Sequence, residues 1–297
     1  MSQLAQPVQL PQPSLSRRLG SGALWRLLVL CGLILWLYGA VLARLSHQWW
    51  TDPNFSHGFF VPAFALYVVW QKWNSLKATP SAPSSWGLAV LLFSLCTLIL
   101  GVLGAELFLS RVSLVMLLAG IILFLHGWEM LRVLLFPLAI LLLMVPIPSI
   151  ILNQITFPLQ ILASKLSAWI LPLLGVPVLR EGNIINLPAM PLEVADACSG
   201  IRSLLSLTCL AIMYGYLLEK RTGIRVILAL ASIPIAVVAN GLRIVGTGLL
   251  VQYWDPDKAE GFFHAFSGWL IFVVSLLMLF AMHRLFVMRS KDPEVSA

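Results

Sequence analysis

Long apolar runs, separated by short polar breaks, follow one another along most of the chain. A helix needs roughly 20 predominantly apolar residues to cross a bilayer, with about 17–25 tolerated. The pattern therefore predicts an all-α polytopic membrane protein with about eight transmembrane helices. The predicted spans cover approximately residues 24–45, 57–73, 86–104, 109–126, 130–147, 198–218, 224–249 and 263–286.

One long segment, residues 148–197, separates the fifth predicted span from the sixth. Its first half, residues 150–171, is apolar with Asn, Gln, Lys and Pro interspersed. This pattern favours a short amphipathic helix that is interfacial or re-entrant. The second half, residues 176–187, predicts a β-hairpin with Gly182 and Asn183 in the turn.

The two ends of the chain fall outside the apolar pattern. Residues 1–23 are rich in Pro, Gln and Ser, which is typical of a disordered segment. The first apolar run is too long for the core of a signal peptide, so we expect it to be a retained helix. We therefore expect one transmembrane domain over residues 24–289, followed by a short tail over residues 290–297.

Composition supports the same fold class and excludes a soluble domain. The chain is 60% hydrophobic and 10% charged, which leaves too little polar surface to cover a water-soluble core. In such a chain the net charge of +7 reports orientation, and no nucleic-acid partner is expected. No set of His, Cys, Asp and Glu has metal-ligand spacing, so neither a metal nor another cofactor is expected.

The distribution of Lys and Arg predicts the orientation. With the N-terminus in the cytoplasm, 12 of the 19 basic residues fall on the cytoplasmic side, in agreement with the positive-inside rule. Both chain ends are then cytoplasmic, and residues 148–197 are extracytoplasmic. The 12 residues are Arg17, Arg18, Arg26, Lys72, Lys77, Arg132, Lys220, Arg221, Arg225, Arg284, Arg289 and Lys291.

Cys198, Arg243 and His264 lie near the same end of three predicted helices. From the spacing to the basic residues at the other ends, Cys198 lies about 33 Å above its helix end, Arg243 about 27 Å and His264 about 30 Å. The three residues therefore share a depth near the outer leaflet, while their lateral proximity is an assumption. Together a thiol, a cation and an imidazole are the parts of a cysteine nucleophile with a base and an oxyanion clamp.

Each of the three residues also has a structural interpretation. Cys198 alone could simply begin a helix, although a helix N-terminus favours the thiolate. Arg243 costs at least about 2.5–3.5 kcal/mol to insert, which usually marks function, but its height also permits snorkelling to the headgroups. His264 alone is ordinary for an interface. The remaining cysteines, Cys31, Cys96 and Cys209, lie inside apolar runs, where cysteine behaves as a small hydrophobic residue.

Further polar residues surround the trio in sequence. Arg202 shares the face of Cys198 at i+4, where it lowers the thiol pKa, binds a carboxylate, or forms a structural ion pair with Glu193 or Asp196. Asp196 can also cap the helix that follows.

Three more polar residues are candidates for a supporting role. Asn240 shares a helix face with Arg243, and Ser267 shares one with His264. His57, in the first outer loop, is a second histidine on the same side, although a loop histidine is usually just solvated.

These segments together resemble the exosortase/archaeosortase family of membrane cysteine transpeptidases. The resemblance rests on EVADACSGIRS over residues 193–203, ANGLRI over 239–244 and HAFSGW over 264–269, with FSHGF over 55–59 similar to the family's first-loop signature. The order of Cys, Arg and His, each at a helix end, is the family's order. The resemblance covers roughly residues 25–285.

The resemblance implies a function and a set of roles. Cys198 is implied as nucleophile, Arg243 as its electrostatic partner and His264 as general base or acid, in a protease or transpeptidase of the inner membrane that acts on its extracytoplasmic side. Its partners would be exported proteins whose C-terminal tail carries a Pro-Glu-Pro-type motif, one transmembrane helix and a basic cluster. A thioester intermediate would pass to water or an amine, and the acceptor would be a glycan or a lipid of the membrane.

Two other functions remain open at the level of sequence. Arg202, Asn240 and Arg243 could line a path for an anionic lipid or sugar in a transporter or flippase. The chain could also be a non-catalytic subunit of an exopolysaccharide system. Transport sites lie near the bilayer midplane, whereas this cluster is predicted near one face, which favours the enzyme.

Overall fold

The computed structural model describes residues 21–194, 200–254 and 262–289. Within these ranges the side chains of residues 21–24, 27, 200, 262–265 and 289 are not described. The segment over residues 1–23 lies almost entirely outside the described residues, and the tail over 290–297 lies wholly outside them. Their predicted character therefore stays a prediction.

Helices make up most of the described chain, as the apolar runs predict. They are α1 (Ser21–Thr51), α2 (Phe60–Gln71), α3 (Trp73–Ala78), α4 (Trp86–Leu103), α5 (Leu107–His126), α6 (Trp128–Leu141), α7 (Ser149–Leu173), α8 (Gly200–Leu218), α9 (Thr222–Tyr253) and α10 (Phe262–Arg289). Two short 3-10 helices, η1 (Pro53–Phe59) and η2 (Leu142–Met144), precede α2 and follow α6.

The chain forms two compact units that divide within α1, between Ala43 and Arg44. The first unit contains the leading part of α1. All later helices and strands belong to the second unit, which therefore contains every described element that carries a candidate site residue.

The all-α polytopic membrane fold is confirmed, but the count of eight spans is not. Among the described residues, α1, α4, α5, α8, α9 and α10 are long and apolar enough to cross a membrane. The α6–η2 segment and α7 meet at an 85° bend and would make a seventh span if they count as one. The predicted span over 57–73 is shorter than expected, because its first residues form η1 and α2 has only 12 residues.

The long segment between α6 and α8 contains both predicted features. The amphipathic helix is α7, which is longer than expected at 25 residues and packs along α9. The β-hairpin is confirmed: β1 (Leu179–Glu181) pairs antiparallel with β2 (Ile184–Asn186) around Gly182, whose φ of +65° suits a residue without Cβ. A third antiparallel strand, β3 (Pro191–Glu193), was not predicted.

The small sheet packs its apolar face against α7 and α9. Ile185 and Val194 are fully buried in one cluster with Ile244 and Val245 of α9. This contact fixes the chain just before residues 195–199 beside the turn of α9 that carries Arg243.

Helices α8, α9 and α10 pack together through a second apolar cluster. Its buried members include Leu207 of α8, Leu228 and Ile235 of α9, and Leu279 of α10. The three helices that carry the candidate site residues are therefore neighbours in the bundle, which the sequence pattern could not establish.

Candidate functional site

A cavity of about 650 Å³ opens among η1, α2, α8, α9 and α10. Its wall combines cationic and hydroxyl groups with a larger apolar part. The lining residues are Ser56, His57, Phe60, Arg202, Ser203, Ser206, Cys209, Leu210, Met213, Arg243, Gly268, Trp269 and Phe272. It is large enough for a peptide segment or a small-molecule group, since ligand pockets commonly have volumes of about 300–1,000 Å³.

Arg243 is the most deeply buried cation in this wall. Its residue is 4% exposed, and its Nε donates a hydrogen bond of 3.2 Å to Oγ of Ser267 on α10. A β-carbon placed on Gly268 would lie 3.5 Å from Nη2 of Arg243, so the backbone of α10 runs directly past the guanidinium. A larger side chain at Gly268 would narrow the cavity at its charged end.

Arg202 lies in the first turn of α8 and lines the same cavity, with its side chain exposed to it. Among the residues that the structure describes, it forms no ion pair with Glu193, which is exposed in β3. The cavity therefore receives two guanidinium groups, one from α8 and one from α9, and its described lining contains no carboxylate.

Asn240 lies outside this cavity, although it is three residues from Arg243. It is 8% exposed and borders a cleft of about 20 Å³ between α7, α8 and α9, together with Thr156 and Gln160 of α7. Nearby, the Ser167 hydroxyl donates a hydrogen bond of 3.0 Å to the carbonyl of Gly241. This part of α9 therefore contacts α7, while the adjacent part that carries Arg243 faces the cavity.

His57 lies in the cavity wall, contributed by η1 from the α1–α2 connection. Its Nδ1 is buried and has no hydrogen-bond partner among the described residues. Burial lowers the pKa of His57 below its ordinary value of 6.5, and the backbone carbonyls of Leu143 and Asn54 only partly oppose this. The imidazole is therefore neutral at neutral pH.

Two of the three predicted catalytic groups are not described. Cys198 lies outside the described residues, as does Asp196, and the side chain of His264 is not described. Their sequence neighbours are described: Arg202, four residues after Cys198, and Gly268, four residues after His264, both line the cavity with Arg243. The grouping of the three predicted catalytic side chains stays a prediction.

One side of α8 lines the cavity with residues that the sequence pattern did not single out. Ser203, Ser206, Cys209 and Met213 recur every three or four residues and line the cavity over about 15 Å of helix. Two serines and a cysteine at helical spacing inside an apolar run could have indicated a face that lines a cavity. Cys209, which the sequence indicated as a buried hydrophobic residue, is 4% exposed and also borders the cavity.

A match to a known protein family includes every residue that lines this cavity. Residues 49–281 match the family described as transmembrane exosortase (Exosortase_EpsH). The chain belongs to the transmembrane exosortase family. No curated protein and no solved structure matches the chain significantly.

Family membership establishes the general class of activity. Exosortases are cysteine transpeptidases that act on proteins with sorting tails, so this exosortase is a multi-pass membrane protein of the sorting type. The matched range contains η1, α2, α8, α9 and the first 20 of the 28 residues of α10, and it includes Cys198, Arg243 and His264.

Proposed function

We propose that this exosortase is a membrane cysteine transpeptidase in which Cys198 is the nucleophile, His264 its base and Arg243 the group that binds the developing oxyanion. The substrates are exported proteins with a C-terminal tail made of a Pro-Glu-Pro-type motif, one transmembrane helix and a basic cluster. Cleavage takes place on the extracytoplasmic side of the inner membrane. The acceptor is water or an amine, the latter carried by a glycan or a lipid.

One observation carries this proposal: Arg243 is buried in a cavity that is also lined by the near neighbours of the other two residues. Arg202 follows Cys198 by four residues in sequence, and Gly268 lies about one helical turn after His264 in α10; both line the cavity. On the other side of Cys198, Val194 is buried in one cluster with Ile244, the residue next to Arg243. The residues four positions before and after Cys198 are therefore both near this region, because Val194 packs with the neighbour of Arg243 and Arg202 shares its cavity.

The chemistry follows from the residue types. His264 takes the proton of the Cys198 thiol, and the thiolate attacks a peptide carbonyl carbon to give a tetrahedral oxyanion. Arg243 stabilises that charge, an effect commonly worth about 2.7–4 kcal/mol. Collapse breaks the peptide bond, the leaving amine takes the proton from His264, and a thioester to Cys198 remains. Water or an amine then displaces the thiolate.

The test is processing of a tail-bearing reporter protein co-expressed with the full chain. Cys198→Ala should abolish the size shift while the protein still accumulates in the membrane. Cys198→Ser should be almost inactive, because a hydroxyl is much harder to deprotonate than a thiol.

The matched control is the double variant Cys31→Ala/Cys96→Ala, since neither thiol lines the cavity and both residues are exposed. It should process the reporter at the wild-type rate. Wild-type cleavage by Cys198→Ala would refute the transpeptidase proposal and leave a transporter of an anionic lipid or sugar as the next hypothesis.

A further inference from the structure

The cavity contains a titratable group that the proposed mechanism does not use. His57 comes from η1, whereas His264 belongs to α10, and both elements pack against α8. The cavity therefore has an imidazole in the wall formed by η1, and this wall is separate from the one formed by α10. The titratable side chains of the described lining are those of His57, Arg202, Cys209 and Arg243.

The loop that carries His57 is built to hold one position. Asp52 caps η1 by accepting a hydrogen bond of 3.0 Å from the backbone N–H of Asn54. The backbone of Gly58 lies against the indole of Trp49, so closely that a β-carbon there would overlap the ring. Trp49 is itself fixed, since its Nε1 donates a hydrogen bond of 2.9 Å to the carbonyl of Met144. These contacts hold the backbone beside His57 in one position.

Burial keeps His57 in the form that accepts a proton. Arg202 of α8 and Arg243 of α9 line the same cavity, and the nearest described carboxylate of the loop, Asp52, is used as the cap of η1. Burial disfavours the imidazolium and lowers the pKa of His57, and hydrogen bonding to the backbone of Leu143 and Asn54 opposes this only in part. A neutral imidazole in a reaction cavity is suited to act as a general base.

The second half of a transpeptidation has the greater need for such a base. A cysteine thiol has an ordinary pKa of about 8.5, which a helix N-terminus or a nearby cation lowers further. The nucleophile that resolves the thioester is harder to activate: bulk water is a far weaker acid than a thiol, and an amine must lose a proton to give an amide. His57 on η1 lies apart from His264 on α10. It is therefore suited to serve the incoming nucleophile, while His264 serves the thiol.

We propose that His57 is a second catalytic base, which takes the proton of the nucleophile that resolves the thioester on Cys198. This proposal rests on the proposed transpeptidase function. As the water oxygen or amine nitrogen attacks the thioester carbonyl, its proton passes to the imidazole of His57. The C–S bond then breaks, the thiolate of Cys198 leaves, and the proton on His57 returns to solvent or to the thiolate. No oxidant or other co-reactant is consumed.

The experiment follows the two half-reactions separately, using the full chain in detergent and the tail-bearing reporter as probe. His57→Gln should still release the tail but should resolve the thioester about 100-fold more slowly, in line with the usual contribution of a general base. A covalent adduct of reporter and enzyme, sensitive to thiols, should therefore accumulate. Added hydroxylamine, which attacks thioesters without a base, should clear the adduct.

The control is His47→Gln, an exposed histidine near the end of α1 that does not line the cavity. It should show wild-type turnover and no adduct. Cys198→Ala should release no tail and form no adduct, with or without hydroxylamine. If Cys198→Ala retained cleavage, the proposed transpeptidase function would be wrong. The results for His57→Gln test the role of His57 alone.

Wild-type turnover by His57→Gln overturns the role of His57, and so does a folded variant that releases no tail. If the variant does not accumulate in the membrane, the pH dependence of thioester resolution by the wild-type enzyme tests the proposal instead. The rate of adduct resolution should fall as the pH drops through a value below 6.5, since His57 is then protonated. A resolution rate that is constant between about pH 5 and 8 would contradict the proposal.

Discussion

At the residue scale, Arg243 combines a high cost of burial with a fixed geometry. A buried charge is tolerated when it is hydrogen-bonded, and Nε of Arg243 bonds to Ser267 while the guanidinium lies beside Gly268. The planar group therefore hydrogen-bonds Ser267 through Nε and also lines the cavity. A lysine has one compact ammonium and cannot do both.

We predict that Arg243→Lys lowers the rate of reporter processing by at least about 100-fold, the usual effect of losing one oxyanion donor. The variant should still accumulate in the membrane, because the charge and most of the side-chain volume remain. Arg132→Lys, at an exposed ion pair with Glu129, is the matched control and should keep wild-type activity. Equal activity of wild type and Arg243→Lys would exclude a role for the guanidinium fork.

At the element scale, η1 depends on a close approach that only glycine allows. A β-carbon at position 58 would overlap the Trp49 ring, whose hydrogen bond to Met144 ties the loop to η2. Any larger residue must displace either the indole or the backbone beside His57. The loop geometry is thus set by one glycine and one tryptophan.

We predict that Gly58→Ala slows resolution of the thioester as His57→Gln does, by about tenfold or more, because the 3-10 helix must shift. Gly246→Ala, in an exposed part of α9 with open space around its Cα, is the control. It should leave activity unchanged and slightly raise thermal stability, as alanine favours a helix interior. Unaltered kinetics in Gly58→Ala would mean that the loop tolerates displacement.

The turn between α8 and α9 is held by Glu219. Its carboxylate accepts hydrogen bonds from the backbone N–H groups of Lys220 and Arg221 and lies 3.4 Å from Nε2 of His283 on α10. Hydrogen bonds from the backbone, first that of Arg221, and then the contact with His283 hold the pKa of Glu219 below its ordinary value of 4.5. A carboxyl with a lowered pKa stabilises the fold above pH 4.5, and this stabilisation is lost as the pH falls through the lower, folded-state value.

We predict that Glu219→Gln lowers the unfolding temperature in detergent at pH 7 and makes it less sensitive to acid below pH 4.5. Thermal unfolding at a series of pH values measures both effects. Glu129→Gln, which removes only an exposed ion pair, should follow the wild-type curve. If Glu219→Gln and wild type lost stability in parallel on acidification, the turn would not depend on the ionised carboxylate.

At the scale of the whole molecule, the short segment from η1 to α2 crosses the same depth as the long helices. His57 and Phe60 border the cavity with Arg202, while Phe64 packs against Tyr216 near the far end of α8. Lys72, at the end of α2, donates a hydrogen bond to the carbonyl of Val133, and its pKa is lowered first by burial and then by the charge of Arg225.

The second compact unit therefore has two regions at different heights along α8. One region, at the start of α8, contains the cavity and its cations. The other region, at the far end of α8, contains the α8–α9 turn with Lys72 and Arg225. The positive-inside rule predicts that this region is cytoplasmic.

We predict that the α8–α9 turn is cytoplasmic and the sheet extracytoplasmic. Alkaline phosphatase fused after Arg221 should be inactive, and the same enzyme fused after Asn183, in the β1–β2 turn, should be active. A fluorescent protein fused after Arg221 should fold and emit. An active phosphatase fusion after Arg221 would reverse the orientation and place the cavity on the cytoplasmic side.

The sequence by itself determined the fold class, most helix positions, the β-hairpin at Gly182 and the family. These features depend on local patterns: apolar length, turn chemistry and short motifs, each of which is read within some 20 residues. The count of spans was less secure, because the 85° bend between α6 and α7 and the shortness of α2 depend on packing against other helices.

Only the tertiary structure decided which polar residues share a cavity. Helical periodicity indicates the face of a residue on its own helix but not which helix packs there. Hence Asn240, which was expected to act with Arg243, faces α7, whereas His57 and Cys209 line the cavity from η1 and α8. These contacts join residues far apart in sequence, and their arrangement follows from how the whole bundle buries its apolar surfaces.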